Sequence, residues 1–158
     1  LICSQLGVGG RGVVNRQRLG IADVGEVGEQ SQCLDEALPG LTPALGKAVR
    51  DAGLPFLPGV SSASEIMLAR EYGFTELKLF PANGTGGIAW LQAQGPVFPE
   101  IAFCPTGGIR PPDIPAYLAL PNCMTVGGSW IVPKEALAAR DWGAIEALAR
   151  QAAAFAKR

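Results

Sequence analysis

The sequence predicts an α/β protein in which helices cover a parallel sheet. Short apolar segments typical of strands begin near residues 54, 76, 101 and 123, at intervals of roughly 21–25 residues. Each segment ends in proline or glycine and is followed by residues with helical periodicity. Strands that alternate with helices at this spacing run parallel, because each parallel pair needs a crossover connection. An open doubly wound sheet and a (β/α)8 barrel both satisfy the pattern.

The first clear helix is predicted over residues 41–53, and the strand before it is poorly visible. The next unit is a strand at 54–60 followed by a helix at 62–73. There Ser62-x-x-Glu65 resembles a capping box, and glycine at position 73 ends the pattern.

Three further units follow along the chain. The strand at 76–80 leads through a glycine-rich loop into a helix at 88–95, and the strand at 101–105 leads into a proline-initiated helix at 111–120. The strand at 123–126 leads towards a last helix that starts near Asp141. That helix has one apolar face, formed by Ile145, Leu148, Ala149, Ala152 and Phe155.

Residues 1–38 show no sustained period of either kind. Gly-x-Gly spacing occurs there without a clear preceding strand, so no dinucleotide site is predicted. Residues 1–158 are interpreted as a single domain. A complete eight-unit barrel takes about 200 residues or more. Either the sheet is therefore open, or one or two N-terminal units are missing.

Composition excludes several classes of function. Thirteen basic and fourteen acidic residues are spread without a basic block, which argues against nucleic-acid binding. No apolar run reaches the ~20 residues of a membrane span. The chain has no histidine, which excludes a Ser-His-Asp triad and a His/Cys zinc site, and no metal is expected. The four cysteines form no C-x-x-C pair and are expected to be free thiols of a cytoplasmic protein: Cys3, Cys33, Cys104 and Cys123.

Lys78 is the first candidate functional residue. Side chains alternate along a strand, so Glu76, Lys78 and Phe80 share one face while Leu77 and Leu79 take the other. An exposed edge strand would explain the pattern without any function. In a covered sheet or a barrel, desolvation would instead lower the pKa of the lysine and leave a neutral amine able to attack a carbonyl.

Two glycine-rich loops are the second candidate feature. Thr106, Gly107 and Gly108 follow one strand, and Gly127, Gly128 and Ser129 follow the next. Either loop could be a plain turn that needs glycine for positive φ. Together they match the phosphate site that barrels build after their last two strands, on the same side as Lys78.

Residues 73–86 (GFTELKLFPANGTG) resemble the Schiff-base signature of the 2-keto-3-deoxy-6-phosphogluconate (KDPG) aldolase family, which includes 4-hydroxy-2-oxoglutarate aldolases. Three further segments match in order and spacing: 57–65 (LPGVSSASE), 103–109 (FCPTGGI) and 126–130 (VGGSW). The resemblance runs from about Pro39 to the C-terminus.

The resemblance implies a (β/α)8 barrel, typically a homotrimer, that cleaves KDPG reversibly to pyruvate and glyceraldehyde 3-phosphate without a metal or other cofactor. Lys78 would form the Schiff base. Pro58 and Phe80 would line the pyruvate pocket. The phosphate-binding positions would be Thr106, Gly107, Gly108, Gly128 and Ser129.

The family's early-strand glutamate and arginine motif is not found, and Arg11, Glu26 and Glu29 receive no assignment. "GRGVV" (10–14) and "LPG" (38–40) are distorted echoes of two other family turns. We interpret the poor match of residues 1–38 as an incomplete or faulty N-terminal sequence.

Three alternatives stay open on the sequence alone. The same lysine could act on 4-hydroxy-2-oxoglutarate or on 2-keto-3-deoxy-6-phosphogalactonate. A phosphate-binding barrel that is not an aldolase would explain the loops but not Lys78. The chain could also be an inactive fragment that lacks the glutamate.

Overall fold

A computed structural model describes residues 38–155. Its sheet has three parallel strands in the order β1 (Gly59–Val60), β2 (Glu76–Leu79) and β3 (Ala102–Pro105). Parallel bridges from Phe103 to Cys123 and from Thr106 to Gly127 place the next segment beside β3. Spatial order follows chain order, and helices connect the strands. These features confirm the parallel α/β class, whereas closure into eight units stays a prediction.

Helix α1 (Pro43–Ala52) and helix α2 (Ala63–Glu71) lie where the sequence predicts them. Thr42 caps α1 by accepting the Leu45 N–H at 3.3 Å. Ser62 caps α2 as its spacing to Glu65 predicts, because its hydroxyl accepts the Glu65 N–H at 3.4 Å. The Glu65 carboxylate accepts from the Ser62 hydroxyl at 2.9 Å and from the backbone N–H of Ser61, rather than of Ser62, at 2.7 Å. Such caps satisfy N–H groups that the first helical turn leaves without partners.

Two short helices connect the later strands. Helix α3 (Gly87–Gln94) follows β2, and helix α4 (Ile114–Leu118) follows β3 through a 3-10 turn at Pro111–Asp113. The prolines of this segment occupy first-turn positions, as predicted, because a first-turn residue needs no N–H partner.

The C-terminal region contains two helices, α5 (Lys134–Ala139) and α6 (Trp142–Ala154). Asp141 caps α6 by accepting the Ala144 N–H at 3.0 Å. Ile145 is buried, and the other residues of the predicted apolar face are partly buried. Helix α5 was not predicted, because its six residues are too few to show an apolar period.

Two predicted strands are shorter than expected. The segment 54–60 contributes only Gly59–Val60 to the sheet, and 123–126 is joined to β3 by isolated bridges. An apolar run does not by itself specify which residues find ladder partners. The backbone at Leu38 packs closely against β1, since a Cβ on Gly59 would lie 2.5 Å from the carbonyl oxygen of Leu38.

The core lies between the sheet and the helices. Leu77 and Leu79 of β2 and Phe103 of β3 are fully buried, together with Ile66 of α2 and Leu91 of α3. This burial confirms the predicted alternation along β2, where Glu76 and Lys78 are only partly buried. The apolar face of β2 thus turns towards the helices, and Lys78 turns to the other face.

Candidate active site

Lys78 lies on the middle strand of the sheet, on the face opposite to the buried leucines. It pairs in register with Gly59 of β1 and with Cys104 of β3. Its N–H donates to the carbonyl of Pro58 at 2.8 Å. The lysine is half-buried between two neighbouring strands rather than at a solvated edge, so the edge-strand interpretation is wrong.

Burial lowers the pKa of the Lys78 ammonium, and only the thiolate form of the neighbouring Cys104 would oppose this shift. Burial also raises the pKa of the Cys104 thiol, which therefore stays protonated at neutral pH. Lys78 Nζ lies 4.7 Å from the centroid of the Phe80 ring, two residues further along the same face. A lysine with a lowered pKa holds more neutral amine at neutral pH, and this is the form that attacks carbonyl carbon.

The loop after β3 is the first of the two predicted phosphate loops. Gly107 and Gly108 have φ of 103° and 80°, a region that favours glycine. A Cβ on Gly107 would lie 3.3 Å from the Phe80 ring, so this loop packs against the same ring that Lys78 contacts. Within residues 38–155, neither glycine N–H donates to a protein acceptor. Successive N–H groups of this kind suit an anion.

The second loop lies directly beside the first, because Thr106 pairs with Gly127 across the two chain segments. A Cβ on Gly128 would lie 2.5 Å from the Trp130 ring, so the indole packs over this glycine. Ser129 follows with an exposed side chain. The structure therefore brings both predicted loops together at the carboxyl ends of the strands, the same end towards which β2 carries Lys78.

Pro58 is fully buried immediately before β1, and its contact with Lys78 is through its backbone carbonyl. Its role as a pocket wall stays a prediction. Two residues of this region carry no signal in the sequence. Cys104 becomes its neighbour only through strand register, and Asn83 contacts the loop after β3 through a turn that no periodicity describes.

Several sequence-based expectations lie outside the described residues. Arg11, Glu26 and Glu29 belong to this part of the chain, as do Cys3 and Cys33. The remaining two cysteines, Cys104 and Cys123, are buried free thiols, as expected.

Between residues 38 and 155 no group of three or more metal-ligating side chains comes together. In the same part of the chain, none of the helices combines the length and the apolar character that a membrane crossing requires.

Comparison with known proteins identifies the family. The family model described as "Aldolase: KDPG and KHG aldolase" matches residues 4–148, and so begins well before Pro39, where the sequence resemblance starts. The KHG/KDPG aldolase of Escherichia coli K12 is 45% identical over 150 residues, which are 95% of this chain and 68% of the relative. A 2-dehydro-3-deoxy-phosphogluconate aldolase of Pseudomonas aeruginosa is 49% identical over 114 residues, or 72% of this chain and 52% of the relative.

Solved structures give the same result. A KDPG aldolase from Legionella pneumophila, with pyruvate captured as a covalent carbinolamine intermediate, superposes with a TM-score of 0.70 at 45% identity. The match covers 72% of this chain and 55% of that one. The Zymomonas mobilis ZM4 KDPG aldolase with 3-phosphoglycerate gives a TM-score of 0.69 at 42% identity, covering 74% of this chain and 55% of that one. The chain thus spans between about half and two thirds of its relatives' length, and it belongs to the KDPG and KHG aldolase family.

Proposed function

We propose that the protein is a class I aldolase and that Lys78 is its Schiff-base lysine. The observation that carries this proposal is the position of Lys78 on the middle strand. There its pKa is lowered by burial, and two glycine-rich loops lie at the carboxyl ends of the neighbouring strands. The covalent pyruvate adduct of the Legionella relative supports the same chemistry.

In this mechanism the neutral Lys78 amine attacks the C2 ketone of the keto acid, and loss of the C2 oxygen as water leaves a protonated imine. The carboxylate of the glutamate that the family resemblance implies removes the C4 hydroxyl proton. The electron pair of the C3–C4 bond then moves towards the imine, an aldehyde leaves, and an enamine remains. Protonation at C3 and hydrolysis release pyruvate and restore Lys78.

The Phe80 ring and Pro58 would bound the keto-acid end of the substrate. The phosphate would bind at the two loops, through the backbone N–H groups and hydroxyls of Thr106, Gly107, Gly108, Gly128 and Ser129. Because this group is remote from the breaking bond, its binding energy can orient the reacting carbons.

KDPG is the proposed substrate, with pyruvate and glyceraldehyde 3-phosphate as products. The relatives named for this substrate and the 3-phosphoglycerate in the Zymomonas structure support a phosphorylated ligand. The alternatives are 4-hydroxy-2-oxoglutarate, for which the Escherichia coli relative is also named, and the galactonate epimer. We further propose a (β/α)8 barrel fold, a homotrimer and a cytoplasmic location, without a metal or other cofactor.

Borohydride trapping with pyruvate tests the proposal. Peptide mass spectrometry should find a reduced pyruvyl adduct on Lys78 and none on Lys134, an exposed lysine at the start of α5. Lys78→Arg should abolish labelling and cleavage, whereas the matched Lys134→Arg should retain both. A folded wild-type protein that gives no Lys78 adduct would instead favour the non-aldolase phosphate-binding barrel, or an inactive fragment.

Comparing cleavage of KDPG with that of 4-hydroxy-2-oxoglutarate separates the substrate alternatives. The kcat/KM for KDPG should be the higher of the two, because only KDPG engages the phosphate loops. Equal kcat/KM values would support 4-hydroxy-2-oxoglutarate as a substrate to the same degree as KDPG.

A further inference from the structure

The loop that follows β2 is hydrogen-bonded residue by residue to the loop that follows β3. The Ala82 N–H donates to the carbonyl of Thr106 at 2.8 Å, and the Asn83 N–H donates to the carbonyl of Gly107 at 3.2 Å. The Asn83 side-chain amide then donates to the carbonyl of Gly108 at 2.6 Å. Three successive carbonyls of one loop are thus held by two residues of the other.

The hydrogen bond to the Gly108 carbonyl differs from the other two bonds between these loops. The first two bonds join backbone groups, and any residue other than proline could make them. The bond to Gly108 depends on the side chain of Asn83, which lies five residues after Lys78 on the same strand and loop. Asn83 therefore ties the outer end of the phosphate loop to the chain segment that carries the lysine.

Tyr117 of α4 orients the Asn83 amide. Its buried hydroxyl donates to Asn83 Oδ1 at 3.3 Å, so the amide nitrogen is turned towards Gly108. The opposite orientation would place the amide oxygen against the Gly108 carbonyl, where two acceptors repel each other. One orientation of the amide satisfies both of its partners.

Two glycines leave room for this arrangement. A Cβ on Gly108 would lie 2.7 Å from Asn83 Nδ2, and a Cβ on Gly87 would lie 2.5 Å from the Tyr117 hydroxyl. Both glycines also have positive φ, of 80° and 56°. Their place in the two glycine-rich segments is therefore explained in part by the Asn83–Tyr117 hydrogen bond.

We propose that Asn83 is a positioning residue that holds the Thr106–Gly108 loop at a set distance from Lys78 and thereby determines the preference for phosphorylated substrates. This inference rests on the proposed function. The bonds to the loop occupy its carbonyls, while the Gly107 and Gly108 N–H groups donate to no protein acceptor in residues 38–155. If the loop moves, the phosphate end of a bound substrate moves relative to the lysine, whereas a substrate without phosphate makes no use of the loop.

The test compares three variants with a matched control. Asn83→Ala removes both side-chain bonds, Asn83→Asp replaces the donor to Gly108 with an acceptor, and Tyr117→Phe removes only the orienting hydroxyl. The control is Asn122→Ala, because the Asn122 amide donates to the Leu91 carbonyl at 2.8 Å in the same way but belongs to neither phosphate loop. Each variant is measured for KM and kcat with KDPG and with 4-hydroxy-2-oxoglutarate, and for affinity for inorganic phosphate.

Asn83→Ala should raise KM for KDPG about tenfold, the effect expected from the net loss of one to two hydrogen bonds. The kcat/KM of Asn83→Ala for 4-hydroxy-2-oxoglutarate should stay within about twofold of the wild-type value. Tyr117→Phe should raise the KM for KDPG less, by about threefold. Asn83→Asp should be at least as impaired as Asn83→Ala, since its carboxylate repels both the carbonyl and the phosphate. Asn122→Ala should change kcat/KM by the same factor for the two substrates.

Equal loss with both substrates in Asn83→Ala, or no loss with either, would overturn the inference. If that variant does not fold, Tyr117→Phe decides by the same comparison, because it removes a single hydroxyl. Pyruvate trapping on Lys78 reports the proposed function separately and should be unchanged in all four variants. If the wild-type protein binds phosphate and does not trap pyruvate, and Asn83→Ala weakens phosphate binding, the aldolase proposal fails and the loop-positioning role of Asn83 stands. If the wild-type protein neither traps pyruvate nor binds phosphate, both proposals fail.

Discussion

Replacing Gly127 with alanine should damage stability and substrate binding together, because the Thr106 side chain fills the space that a methyl group needs. A Cβ on Gly127 would overlap Thr106 Oγ1 and would lie 3.1 Å from its Cγ2. Gly127 cannot move away freely, since its N–H donates to the Pro105 carbonyl at 2.9 Å and its backbone pairs with Thr106. Its φ is not positive, so the expected penalty is steric rather than conformational.

Overpacking of this kind costs about 1–3 kcal/mol of unfolding free energy. At about 2–4 °C per kcal/mol for a chain of this length, the Tm should fall by about 2–12 °C. Because Thr106 is β-branched and stiff at χ1, the methyl group added at position 127 displaces the hydroxyl and methyl groups of Thr106 together. In an active protein the KM for the phosphorylated substrate should therefore rise as well.

Thermal unfolding of Gly127→Ala, Thr106→Ala and the double variant measures the contact directly. Removing the Thr106 hydroxyl and methyl groups should restore much of the lost stability, with a coupling energy of about 0.5–3 kcal/mol. Gly40→Ala is the control: a Cβ there meets no described atom within 4 Å, and its φ is not positive. If Gly127→Ala unfolds at the wild-type temperature, or if the double variant is no more stable than Gly127→Ala, the steric argument is refuted.

Four further predictions concern three titratable groups. The rate of pyruvate trapping on Lys78 should rise with pH to a midpoint below 10.5, the ordinary lysine value, because burial lowers its pKa. Between the lowered pKa and 10.5 the unfolded chain binds more protons at this site, so its contribution to stability should increase with pH and should be absent in Lys78→Met, as denaturant titrations at several pH values would detect. The pKa of Glu65 is lowered below 4.5: burial raises it, but hydrogen bonds from Ser61 and Ser62 outweigh that effect. Glu65→Gln should therefore lower the free energy of unfolding in urea at pH 7, and this difference should shrink as pH falls below 4.5 through the lowered pKa; a constant difference would contradict the assignment. Burial raises the pKa of Cys123 to about 12, so maleimide labelling of its peptide at pH 8 should be slow in the native protein and rapid in urea, and equal rates would show that the thiol is exposed.

Much of the local structure could be predicted because it depends on short-range patterns. The alternation along β2 separated Lys78 from the buried leucines, and the Ser62-x-x-Glu65 spacing located the start of α2. Proline positions predicted the first turn of the helical segment after β3, although that turn is 3-10 and α4 begins only at Ile114. These signals act within a few residues, where backbone sterics and hydrogen bonding leave few alternatives.

Pairing lengths were less predictable. The run 54–60 has the composition of a strand, yet only Gly59–Val60 finds partners, and 123–126 makes isolated bridges. Ladder pairing depends on the neighbouring strand as much as on the run itself. For the same reason the sequence did not show that Cys104 lies beside Lys78.

The sequence by itself determined the α/β class, the strand face on which Lys78 lies and the glycine-rich composition of the two loops, because these properties follow from periodicity and from local backbone freedom. Only the tertiary structure decided that Lys78 is on a middle strand, that Thr106 lies against Gly127, and that Asn83 spans 25 residues to Gly108. Contacts between residues far apart in the chain depend on register, packing and the orientation of single side chains. None of these leaves a periodic trace in the sequence.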